Sequence, residues 1–143
     1  MRSLLTMNLR QFSAGYNYTG AANSKVFMDV SKDGNGAGRM VFELYENHAP
    51  HHAANFAAFC SGATVGNRSF SGSSLCHGIT GFGVHGGMFA GENTGCADER
   101  VADENLHLRH HKRGMLTMIN DGPHSSGSQF MVTFGEAHHL DGY

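Results

Sequence analysis

The sequence predicts a mainly β domain with one short helix, and three stretches carry that prediction. From Gly114 to Phe134 (GMLTMINDGPHSSGSQFMVTF) an alternating segment, a run of turn formers and a second alternating segment follow one another, which reads as strand, wide loop, strand. Between Val26 and Tyr45 two further strand-like segments flank Asp33-Gly34 and Asn35-Gly36, dipeptides that tolerate positive φ and so mark hairpin turns. From Ser69 to Asn93 closely spaced glycines are interleaved with Phe70, Leu75, Ile79, Phe82 and Phe89, the pattern of short, bulged strands with an apolar face.

In chain order, residues 1–24 form an N-terminal extension with Arg2 and Arg10 and no acidic residue. Leu4, Leu5, Leu9 and Phe12 fall loosely on one helical face, which allows either a mitochondrial presequence or a disordered leader, since Gly15, Gly20 and Asn23 break any helix. The domain occupies residues 25–143, and Val26 to Val30 and Met40 to Tyr45 are its first strands. A helix follows over Pro50 to Cys60, with Phe56, Phe59 and Cys60 spaced to face inward, Pro50 suited to its first turn and Gly62 to its stop. No capping side chain stands beside Pro50. Asp98 to His111 reads as a surface loop, and Met115 to Ile119 and Gln129 to Phe134 as strands. On the last strand Phe130, Val132 and Phe134 share one face and read as core. Gln129, Met131 and Thr133 share the other, which is either a solvated sheet face or a surface suited to gripping a peptide.

Composition narrows the function. A chain of 143 residues suits one domain, and with a formal charge of -2 and 10 scattered Lys and Arg it lacks the basic patch of a nucleic-acid binder. No apolar run approaches the ~18 residues of a membrane span. Cys60, Cys76 and Cys96 form no C-x-x-C, which argues against disulfide frameworks and thiolate metal sites and favours a reducing compartment, with the cytoplasm as the expectation. The 11 histidines include the pairs His51-His52, His110-His111 and His138-His139. A zinc site could draw on His48, His51 and His52, or on His77, His85 and His139, but no acid partner stands at fixed spacing. Incidental surface histidines are the favoured reading, with no metal and no cofactor. The G-x-G at Gly81 to Gly83 has no following helix and so marks no dinucleotide site.

Several motifs in order resemble the cyclophilin family of peptidyl-prolyl isomerases: AP with NF and F after it in the helix, GFGVHGGMF at Gly81 to Phe89, DEN at Asp103 to Asn105, DGP at Asp121 to Pro123, GSQF at Gly127 to Phe130 and LDG at Leu140 to Gly142. The resemblance implies a cyclophilin-like antiparallel β-barrel with a capping helix. The family pattern continues past LDG with two more strands and a second helix, so the expectation is an incomplete barrel of marginal stability. It also implies proline-containing peptides or proteins as partners. Phe82, Met131 and Leu140 would wall a proline pocket, Gln129 would position the substrate, and Ile119 and Asn120 would line the peptide's path.

The family's catalytic arginine aligns with His77, its QGG glutamine with His85, its GFM methionine with Gly83 and its indole-bearing position with His139. Rotating an X-Pro amide over a barrier of ~18 to 20 kcal/mol needs no nucleophile or metal. It needs a donor aimed at the imide nitrogen, whose lone pair appears only in the twisted state. With His77 in the arginine's place, weak isomerase activity is expected, the alternative being an inactive module that binds proline peptides. Loss of the indole at His139 implies weak binding, at best, of cyclosporin-type ligands.

Overall fold

The turn at Asp33-Gly34 sets the register of the first sheet. Both residues take positive φ, 52° and 80°, the two left-handed positions of a type I′ turn, whose twist matches that of the flanking strands. The computed structural model describes residues 5–10, 23–64, 67–89 and 100–143. These divide into two compact units, Met1–Gly72 and Ser73–Tyr143. The remainder of the N-terminal extension, Cys96 and the start of the Asp98 loop lie outside the described residues.

In the first unit β1 (Leu5–Arg10), β2 (Lys25–Lys32) and β3 (Asn35–Glu43) pair antiparallel in that order. Two expectations change here. Leu5 to Arg10 is a strand rather than a helical face, because its Leu5, Met7, Leu9 alternation suits pairing along β2 and its helical spacing was loose. Asn35-Gly36 opens β3 instead of forming a turn, since the Asp33-Gly34 turn already closes the hairpin with Lys32 opposite Asn35.

Asp29 and Arg39 stand opposite one another across the hairpin, bound through both carboxylate oxygens at 2.6 and 2.8 Å. The guanidinium also lies 3.9 Å from the Phe27 ring centroid, so a polar pair shields an aromatic. The helix α1 (Pro50–Ser61) begins without a side-chain cap and stops at Gly62 with φ 76°, as its sequence predicts. It buries Ala53, Phe56, Phe59 and Cys60. Phe70, with no exposed surface, packs against Phe56 and Phe59 at centroid distances of 5.2 and 5.1 Å. Burial of this trio, together with Val26, Met28 and Phe42, makes the hydrophobic core of the unit.

In the second unit β4 (Ser74–Ile79), β5 (Gly83–Gly86), β7 (Phe130–Thr133) and β6 (Leu116–Met118) pair antiparallel in that spatial order. The pairings among the described residues do not close into a barrel. Phe130, Met131, Val132 and Thr133 are all buried, so both faces of β7 are covered. Phe134, expected in the core, is exposed. The strand has ended by then, although the Phe134 amide still bonds the Phe82 carbonyl at 2.8 Å. Just past β5, Gly87 takes φ 79° and a Cβ there would run into the Ser128 carbonyl oxygen, so no side chain fits. Ser128, fully buried, donates its hydroxyl to the Gly87 carbonyl at 2.7 Å and locks that approach.

Candidate functional site

All nine residues singled out by the sequence lie in the second unit. The register decides which share a face. His85 stands opposite Met131, and Met131 opposite Thr117, so these three project from the same side of the β5–β7–β6 sheet. Gln129, two residues before Met131, continues that side, and its carbonyl accepts the Ile119 amide at 2.9 Å. Gln129, Ile119 and Asn120 are half-buried, while Met131 is buried. The Asn120 side chain accepts the Gly122 amide at 3.3 Å, an Asx turn that shapes the start of the wide loop. Thr133, which the sequence set beside Gln129 and Met131, is fully engaged by its own chain: its hydroxyl donates to the Lys112 carbonyl and accepts the Met115 amide, both at 3.0 Å.

His77 and His85 form one flank. Between Cys76 and Ile79 β4 carries one residue more than β5 opposite it, a bulge in which His77 takes φ 51°. The bulge leaves His77 exposed, with its ring 6.3 Å from that of His85. Burial pushes the His85 pKa below its ordinary value, and the neighbouring His77 adds to the effect, so His85 favours its neutral form. Burial raises the Cys76 thiol, which keeps it from acting as a ready nucleophile.

The opposite flank is the turn that carries His139 and Leu140. His138–Leu140 forms a single 3-10 turn, and the His139 ring lies against Phe82 at 5.2 Å between centroids, tilted by 31°. Phe82 sits in the β4–β5 connection with its amide bonded to the Ile79 carbonyl at 3.0 Å. Thus His77 meets His85, His85 neighbours Met131, Gln129 meets Ile119, and Phe82 meets His139.

One group of contacts was not foreseen. His110, read among the surface histidines, has a largely buried side chain, 13% exposed, and ties three segments together. Its backbone amide and its Nδ1 both bond Asp141 Oδ1, at 2.7 and 2.9 Å, and its Nε2 lies 3.0 Å from the Thr117 hydroxyl. Its carbonyl accepts the Ala137 amide at 2.8 Å. The His110 amide, with the imidazoles of His110 and His138, holds the Asp141 carboxyl well below the usual range, at about 2. Among the described residues no group of three or more His, Cys, Asp or Glu side chains is disposed to hold a metal ion. No described helix is long and apolar enough to cross a membrane.

The half-buried Gln129 and His85 and the buried Met131 thus line one side of the β5–β7–β6 sheet, and Phe82 and His139 form a separate aromatic contact. The family model for cyclophilin type peptidyl-prolyl cis-trans isomerase/CLD matches residues 27–143, and the chain belongs to that family. The family implies proline-containing peptides as what such a domain binds.

Proposed function

We propose that this protein binds proline-containing peptides along the Gln129, Met131 and His85 face and isomerises them slowly. The observation that carries the reading is His77. In the family pattern its position holds an arginine, a rigid and permanently charged donor. Here an imidazole takes its place on a bulge with φ 51°, beside a His85 that favours neutrality. Gln129 and Asn120 match the family's peptide-holding residues while the strong donor is absent, so binding is retained at a cost in turnover of ~10² to 10³, the usual effect of losing one such donor.

The test pairs two measurements on the same protein. Calorimetry with an Ala-Pro peptide reads binding, and a protease-coupled assay reads isomerisation. Micromolar binding with turnover well below that of an arginine-bearing family member supports the proposal. Binding without any rate enhancement favours the inactive-module alternative, and turnover equal to that of the arginine-bearing enzyme overturns both.

A further inference from the structure

The cluster around His110 has no part in the isomerase reading above, yet it joins two segments that do. Asp141 directly follows the turn bearing His139 and Leu140, and Thr117 stands on β6 beside Met131. A single 3-10 turn has little stability of its own, so outside contacts fix its position. The Leu140 and Asp141 amides close it on the Ala137 and His138 carbonyls at 2.9 and 3.1 Å. Besides the Phe82–His139 ring contact and the His138–Glu136 pair, the described contacts that hold it run through Asp141 and His110: the Asp141 carboxylate receives the His110 amide, His110 Nδ1 and His138 Nδ1, the last at 3.3 Å, and the His110 carbonyl receives the Ala137 amide.

The hydrogen-bond order fixes one ring proton. A carboxylate only accepts, so a proton sits on His110 Nδ1, and Nε2 pairs with the Thr117 hydroxyl. The imidazole is then a rigid spacer between a carboxylate and a strand.

We propose that His110 is a positioning residue: the Asp141–His110–Thr117 relay sets where His139 and Leu140 stand relative to Phe82 and the Met131 face, and so sets the width of the proline pocket. This deepens the peptide-binding reading and rests on it. Its test is chosen to be decided without a bound peptide. In the full chain, long-range ¹H–¹⁵N couplings report the His110 tautomer, and the ring-proton shifts of His139 report its seat against Phe82. The expected result is a proton on Nδ1 and His139 resonances displaced by the Phe82 ring current. Thr117→Val removes the hydroxyl while keeping the shape, and Asp141→Asn weakens the carboxylate end. Both should move the His139 resonances toward free-histidine positions, and Thr117→Ser should restore them. Peptide affinity should fall by about three- to tenfold in Thr117→Val, the span of one neutral hydrogen bond. Folded variants whose His139 resonances stay in place overturn the proposal. Should the valine variant not fold, a wild-type His110 carrying its proton on Nε2 overturns it equally. If the wild type binds no proline peptide, the peptide reading fails, while the His139 shifts still decide the positioning role.

Discussion

Replacing His77 by arginine is the most direct probe of why turnover should be slow. The backbone at this position is left-handed, φ 51°, a conformation histidine adopts more readily than arginine, so His77→Arg carries a small conformational cost of its own. The gain available is that of a preorganised donor, ~2.7 to 4 kcal/mol. Against it stands aim, because a bulge re-directs its side chains and the bulged β4 was not shaped around a guanidinium. A second charge matters too: with the His77–His85 separation of 6.3 Å, a protonated His85 would repel the new cation by about 0.7 kcal/mol at the dielectric of water, roughly a factor of three. Since His85 favours its neutral form, that loss is absent at pH 8 and appears as the pH falls below the ordinary histidine range. The expected outcome is a rise in kcat of at least about tenfold at pH 8, or ~1.4 kcal/mol, with peptide Kd little changed. His85→Gln in the same background should remove the acid-side loss. An arginine variant that folds, binds peptide as the wild type does and turns over no faster would refute the idea that a missing donor limits the reaction.

Other outcomes follow from packing and charge. Phe70→Ala empties the space between Phe56 and Phe59 and should cost about 3 to 5 kcal/mol of stability, read as a lowered denaturation midpoint. Gly83→Met, which would restore the family residue, should destabilise the fold: a Cβ there meets the Val132 carbonyl oxygen at 2.7 Å and the Met131 Cγ at 3.0 Å, and thermal melting of the variant checks this. Asp141 has a folded pKa of about 2 against an ordinary 3.8, so its contribution to stability is fully present above pH 3.8 and is lost as the pH falls through about 2. Melts of wild type and Asp141→Asn across that window should differ above it and converge below it.

Much of the fold was legible because local chemistry and the final contacts agree. The Asp33-Gly34 turn, the Pro50 to Gly62 limits of α1 and the inward Phe56 and Phe59 all follow from residues only a few positions apart. The misreadings share a different cause. Leu5 to Arg10 became a strand because β2 supplied a partner, and Phe134 left the core because β7 ended one residue sooner than its alternation suggested. His110 looked like one of a surface pair, since the carboxylate that claims it lies 31 positions away. The candidate site was named from motifs at Gln129, Asn120 and Leu140, which place residues along the chain but not against one another. The bulge that turns His77 and the fit of Met131 over Gly83 depend on register, which no single stretch of sequence displays.

The tight turn of the first unit also bears on the order in which the chain acquires structure. Lys32 and Asn35 close the β2–β3 hairpin three positions apart, whereas the nearest pair joining β5 to β7, Gly86 and Phe130, is separated by 44 positions. On chain-closure entropy alone the longer link costs about 2 kcal/mol more, and hairpins form in ~1 to 10 μs. The β2–β3 ribbon should therefore be in place while the two strands that frame the peptide face are still apart, and amide protection during refolding should reach Met28 before Val132. The proposed peptide face is thus expected to be among the last parts of the protein to form, so a nascent chain that binds peptide there as proposed would do so only after its β2–β3 ribbon is complete.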